Sequence, residues 1–178
     1  MQIWEELESD PDRGAVALVS TYADRLYRLA YRLCSNSATA EDLAFRTLSR
    51  ALTSVGRDFG DEKAFFAWLC TILVNFYRQD LRRKGANALV FPETLPEVTD
   101  TRVLPDAEIC ARSDHETLRA VVADLSPLLR EATVLRYFED LSIPEIAEIL
   151  GVPEGTVKFR LHAARQKIRQ VLTKRFGF

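Results

Sequence analysis

Apolar residues recur every three or four positions along most of this chain, the period of helices that bury one face. The first such run starts after Pro11 and ends near Cys34. Leu18, Tyr22, Leu26, Leu29 and Leu33 share one line of it, and Arg25, Arg28 and Arg32 form a basic stripe on another, read as a solvated face. The segment SNSATAED breaks the pattern and restarts it. Thr39 to Asp42 has the spacing of a capping box, with Thr39 offering its oxygen to the new helix. That helix turns Leu43, Thr47, Leu48, Ala51 and Val55 inward and stops in the turn VGRDFGD. A third helix is expected from about Glu62 to Lys84, with Phe65, Leu69, Ile72 and Phe76 on its apolar line. Asn75, Arg78, Gln79, Arg82 and Arg83 fall away from that line. Lys84-Gly85 suits a helix C-terminus, a cation followed by the residue that best turns the chain left-handed. Phe66 and Trp68 are read as core aromatics, and Asp80, set among cations, as an internal ion-pair partner.

Periodicity then fades. Residues 86–107 contain Pro92, Pro96, Pro105 and several acids, the composition of a linker. Beyond it a helix is expected around Asp114 to Ala123. Another follows, with Ser126 as its cap and Pro127 as its first residue, reaching about Phe138. Glu139-Asp140 makes a turn, and Ser142 to Glu145 is a capping box that opens a short helix through Leu150. Gly151 turns the chain into a last helix, about Glu154 to Leu172. The expected architecture is all-α, with two small helical domains over residues 1–85 and 113–178 and a flexible linker over 86–112.

The second domain has the form of a helix-turn-helix. Ile143, Ile146, Ala147 and Leu150 line the short helix, and Val157, Leu161, Ala164 and Ile168 line the inner side of the long one. Lys158, Phe159, His162, Ala163 and Gln166 are expected outward, flanked by Arg160, Arg165, Lys167 and Arg169. A helix fits a DNA major groove, and cations beside it neutralise phosphates. Thr156 lies in the first turn, where free amides and a hydroxyl suit a phosphate.

Composition changes this picture only through charge. The whole chain is net −2, which hides the basic end: residues 124–150 sum to −4, and residues 151–178 to +6. Charge of that sign at that place favours nucleic acid as the partner of the last helix. Other chemistry is excluded by spacing. Cys34, Cys70 and Cys110 lie far apart, and His115 and His162 have no ligand spacing around them, so reduced thiols and no metal are expected. No glycine-rich phosphate loop occurs, nor a nucleophile beside a plausible base, so neither an enzyme nor a bound cofactor is expected. The N-terminal MQIWEELESD has no basic segment before an apolar stretch, and the uncharged run Ala64 to Tyr77 is shorter than the about 20 residues that span a bilayer. A cytoplasmic protein without membrane insertion is expected.

The stretch LRYFEDLSIPEIAEILGVPEGTVKFRLHAARQKIRQVL closely resembles the C-terminal region of bacterial sigma-70-type factors. Upstream, AEDLAFRTLSRAL resembles the helix by which such factors grip core RNA polymerase. FFAWLCTILVNFYRQDLRRKG resembles the helix that reads the minus-10 promoter element. Two such regions with a short linker resemble the extracytoplasmic-function group, and the resemblance extends from about residue 15 to 175.

The resemblance implies an alternative sigma factor that directs promoter-specific initiation, with core RNA polymerase and promoter DNA as partners and an anti-sigma factor as regulator. It implies a core-binding surface with Asp42, Leu43, Phe45, Arg46 and Arg50. It puts Asn75, Arg78, Arg82 and Arg83 near the minus-10 strand, and Arg136, Thr156, Lys158, Phe159, Arg160, His162 and Arg165 at the minus-35 duplex. The family commonly has a Gln-Glu pair where this chain has Phe45-Arg46, a serine in place of Phe159 and an arginine in place of Ala163. Those departures keep a second reading open, a sigma-like decoy that occupies an anti-sigma factor without initiating transcription. A third, a ligand-sensing helix-turn-helix regulator, finds no pocket chemistry in residues 15–84.

Overall fold

The computed structural model describes residues 3–54, 59–85 and 115–176, with the backbone alone at 115–118 and 175–176. Val55, Cys110 and the expected linker lie outside these. The described residues form helices and turns only, and the chain divides into two compact units, one running to Ala86 and the other built mainly from the residues after it.

The first unit holds α1 (Ile3–Ser9), α2 (Pro11–Cys34), α3 (Ser37–Leu52) and α4 (Glu62–Arg83). The sequence pattern did not signal α1. Only Trp4 and Leu7 of its seven residues are buried, too few to show a period. Its partner is α2, whose Gly14 lets the two backbones meet: a Cβ there would lie 2.5 Å from the Leu7 amide nitrogen. Asp10 caps α2 by accepting from the Arg13 amide at 3.2 Å, and Pro11 occupies its first turn. All five residues expected on its apolar line are buried. The cap of α3 differs from expectation. Asn36, not Thr39, is the capping residue, and its side chain accepts from the Thr39 amide at 2.9 Å.

Asp61 caps α4 through the Ala64 amide at 2.7 Å, and Gly85 follows its C-cap Lys84 with φ +66°. The buried face of α4 is broader than one line. Phe65, Phe66, Leu69, Cys70, Leu73, Val74 and Tyr77 are buried, because the helix packs against both α2 and α3. Ile72 and Phe76, expected inside, are half-buried at its margin. An aromatic cluster closes this core: Phe65 lies 5.3 Å from Trp4, 5.0 Å from Phe59 and 5.7 Å from Trp68, between ring centroids. Tyr22 joins it and donates its hydroxyl to Glu62 Oε1 at 3.2 Å. Burial, reinforced by the Glu62 carboxylate, pushes the Tyr22 phenol up, so it stays protonated.

The second unit holds α5 (His115–Ala123), α6 (Pro127–Tyr137), α7 (Ile143–Leu150) and α8 (Glu154–Phe176). Val121, Leu125, Leu129, Ala164 and Ile168 form one buried cluster, bordered by Ala163, Val171 and Leu172. Ser126 stands at the cap position of α6, but its side chain makes no capping bond. The turn before α7 places Asp140 at φ +54°, and the turn after it places Gly151 at φ +64°. The capping box at α7 is present. Glu145 Oε2 accepts from the Ser142 amide at 2.7 Å, and Ser142 Oγ lies 3.5 Å from the Glu145 amide. The last helix runs one turn beyond its expected end.

Candidate nucleic-acid interface

Three helix faces carry the residues singled out from the sequence. On α3, Asp42, Phe45 and Arg50 are exposed, and Phe45 leaves 71% of its surface open. Leu43 is fully buried, one turn before Thr47 on the inner line of the helix as its spacing predicted, and it lies beneath that surface. Arg46 is half-buried and turned onto α4. Its Nη1 donates to Asp80 Oδ1 at 3.3 Å, Nη2 engages Asp80 Oδ2, and Nε lies 2.8 Å from Asp42 Oδ2. Asp80 is thus an internal ion-pair partner, as its cationic neighbours suggested.

On α4, Asn75, Gln79, Arg82 and Arg83 are exposed, and together with Phe76 they line an open depression. Arg82 Nε donates to the Arg78 carbonyl at 3.3 Å, while Arg78 itself is half-buried. Phe66 belongs to the core, and Trp68 is half-buried at its edge. Phe66 stacks on Tyr22 with centroids 6.0 Å apart, and Trp68 leans on Phe59 at 5.0 Å. Arg25 departs from the expected solvated stripe: its guanidinium lies 3.5 Å from the centroid of the Phe66 ring, a cation–π contact.

On α8, Lys158, Gln166, Lys167 and Arg169 are exposed, and Thr156, Phe159, His162 and Arg165 are half-buried. Arg160 is a correction of placement. It is 7% exposed, because position 160 lies three residues after Val157 and four before Ala164, both on the inner face. Ala163, half-buried, also rests against the core. Lys158 sits 3.8 Å from Glu154, an exposed pair of small energetic weight that a phosphate can displace. His162 and Gln166 lie 2.9 Å apart through their side-chain nitrogens, a linked pair of polar groups on the outer face. Arg136 is half-buried and spends one donor on the Leu141 carbonyl at 2.9 Å, bracing the turn into α7. Lys167, Arg169 and Gln166, absent from the residues carried over by resemblance, lie on the outer face by spacing alone.

Among the described residues no group of three or more His, Cys, Asp or Glu side chains is placed to hold a metal, and no helix is long and apolar enough to cross a membrane.

A family model described as Sigma-70 region 2 matches residues 18–87, and one described as Sigma-70, region 4 matches residues 115–168. The chain is 39% identical over 162 residues to the ECF RNA polymerase sigma factor SigE of Mycolicibacterium smegmatis, covering 88% of this chain but 61% of that protein. It is 31% identical over 170 residues to the ECF RNA polymerase sigma factor SigW of Bacillus subtilis, covering 90% of each. Among solved structures, it resembles the sigma factor RpoE of Bartonella quintana, in complex with the anti-sigma factor NepR. The TM-score is 0.64 at 26% identity, over 87% of this chain and 94% of that one.

Proposed function

The chain belongs to the extracytoplasmic-function group of sigma-70 RNA polymerase sigma factors, and from that premise we propose that it binds core polymerase and directs transcription from a specific set of promoters. The observation that carries this is the order of surfaces. A helix with an exposed apolar residue beside charges, α3, precedes a helix with an exposed polar and cationic face, α4. A capped helix-turn-helix with a basic outer face follows them in the same chain. In this reading residues 1–85 and 113–178 act as the two functional domains, joined over 86–112.

The chemistry fits each role. Asp42, Phe45 and Arg50 offer the polymerase an apolar anchor between charges, with Leu43 and Arg46 behind them. Arg82 and Arg83, with Asn75 and Arg78, meet the opened minus-10 strand, where guanidiniums suit the backbone and an amide suits a base edge. Lys158, His162, Arg165 and Thr156, with Phe159, meet the minus-35 duplex in the major groove. Arg136 and Arg160 act there through the scaffold they brace. The chain supplies binding and no catalysis, the polymerase supplying the reaction, and it works in the cytoplasm under an anti-sigma protein.

The experiment is transcription of genomic fragments by host-matched core polymerase, with and without this protein, with start sites mapped. New starts sharing paired upstream motifs are expected. No new starts from folded protein would move the reading to an anti-sigma decoy.

A further inference from the structure

Position 46 carries a cation where the family commonly has an acid, and the structure shows where that cation goes. Arg46 reaches from α3 to α4 and pairs with Asp80 at two points. Its guanidinium also lies 4.9 Å from the centroid of Phe76, which lines the depression beside Asn75, Arg82 and Arg83. The Arg46 and Asp80 side chains keep only 25% and 20% of their exposure, so this pair is better shielded from solvent than a surface pair.

Asp80 is the acid in the most cationic stretch of α4, between Arg78 and the run Arg82, Arg83 and Lys84. Arg83 and Lys84 follow it by three and four residues, the spacing at which a helical carboxylate captures a cation. The Asp80 carboxylate therefore has two possible occupations: Arg46 on α3, or the cations of its own helix. In the structure it is held by Arg46.

We propose that Arg46 is a positioning residue for the promoter strand: by holding Asp80 it leaves Arg83 and Lys84 to the phosphates and neutralises the one acid in their midst. This rests on the reading above that α4 meets the opened strand. Without Arg46, the carboxylate either turns to Arg83 and Lys84 or faces the strand uncompensated, and both weaken capture of DNA.

The test uses holoenzyme assembled from host core polymerase and the full chain, as wild type, Arg46→Gln, Asp80→Asn and the double variant. The probe is a promoter recovered by the wild-type holoenzyme from genomic fragments, prepared with a premelted minus-10 bubble. Arg46→Gln is expected to weaken bubble capture about fivefold, the scale of one unit-charge interaction at about 4 Å screened by water. Arg46 also pairs with Asp42 on the polymerase-facing side of α3, so core affinity is measured in parallel and bubble capture is compared at core concentrations that saturate every variant. The deficit should shrink between about 0.05 M and about 0.3 M salt, because screening shortens the reach of a bare charge. The double variant should regain the capture of Asp80→Asn alone, which should equal or exceed that of wild type. If Arg46→Gln loses core affinity and Asp80→Asn does not restore capture, Arg46 is a polymerase contact and the proposal falls. It falls too if Arg46→Gln binds the bubble like wild type, or if Asp80→Asn alone weakens capture, a result that holds even where Arg46→Gln folds poorly. A wild-type holoenzyme that selects no promoter removes the functional reading and this proposal together.

Discussion

The two helical units each present a cationic helix face on a small core, but they use charge in opposite ways. In the first, the core is aromatic and aliphatic, and no charged side chain among its described residues is buried. Its buried threonine, Thr47, is satisfied within its own helix by the Leu43 carbonyl at 2.7 Å. Charges sit at the rim and settle one another between helices, as Arg46 and Asp80 do. In the second, Glu131, Glu139 and Arg160 are all buried, and none of them is without a partner. A buried ion is costly unless compensated, so that unit depends on polar pairing the first does not need. A basic outer face can therefore rest on a core without buried charges or on one that contains them, and the latter is expected to be the more sensitive to loss of a single charge.

The contrast can be tested optically, because both tryptophans, Trp4 and Trp68, belong to the first unit. Tryptophan fluorescence then follows the first unit during denaturation, while far-ultraviolet circular dichroism follows helices in both. The largest effect is expected from Phe65→Ala, which removes the ring shared by Trp4, Phe59, Trp68 and Tyr22 and should cost about 3–5 kcal/mol. The loss should appear in the fluorescence transition. A cost below about 1 kcal/mol would mean that the aromatic cluster is loosely packed and that the first core does not rest on it.

Arg160→Met is the counterpart in the second unit. Leaving buried carboxylates without this cation should cost about 3 kcal/mol, read by circular dichroism, with the fluorescence midpoint in place. Combining it with Glu131→Gln or Glu139→Gln identifies the carboxylate that Arg160 compensates, since only the true partner recovers stability in the double variant. If Arg160→Met is neutral or stabilising, the buried charges serve no stabilising purpose and the contrast between the units disappears.

These two sites also mark what was legible in the sequence. The apolar line of α2 could be read residue by residue, because a long helix on the edge of a core buries one stripe. That of α4 could be read only in part. A helix wedged between two others buries adjacent pairs such as Phe65-Phe66 and Val74 with Leu73, which a single line misses. Position 160 was on the inner face by spacing, and its residue type pointed the other way; the pattern along the chain does not show what compensates an arginine placed inside. The same holds for Arg46, whose partner is 34 residues away in sequence. Asn36 lost to Thr39 as the expected cap because several capping residues crowd that turn, and backbone geometry decides between them.

Gly14 gives the next largest effect and probes α1, the element that periodicity missed. A methyl group there would lie within 2.6 Å of the Leu7 backbone, so α1 must move and Trp4 must move with it. Gly14→Ala gains about 1 kcal/mol of helix propensity, but the overpacking costs about 1–3 kcal/mol. A net loss is expected, with changed tryptophan emission before any unfolding. Unchanged emission and higher stability would show that α1 is not seated on α2 at this point.

The smallest effects separate the two units at their caps. Asn36→Ala removes a side-chain oxygen that accepts a backbone amide at 2.9 Å, and about 1 kcal/mol should be lost from the fluorescence transition. Ser142→Ala removes a hydroxyl that donates to Glu145 Oε2 at 2.5 Å and stands 3.5 Å from the Glu145 amide, and it leaves intact the 2.7 Å bond from the Ser142 amide to Glu145. Its cost should be about 1 kcal/mol, typical for a cap, and should appear only in circular dichroism. Glu145→Ala, which frees the Ser142 amide, should cost more than Ser142→Ala. The reverse order would place the strength of that cap in the hydroxyl rather than the carboxylate. The second unit would then begin its helix-turn-helix with the same neutral capping chemistry that Asn36 provides in the first, and its reliance on charge would end at the core.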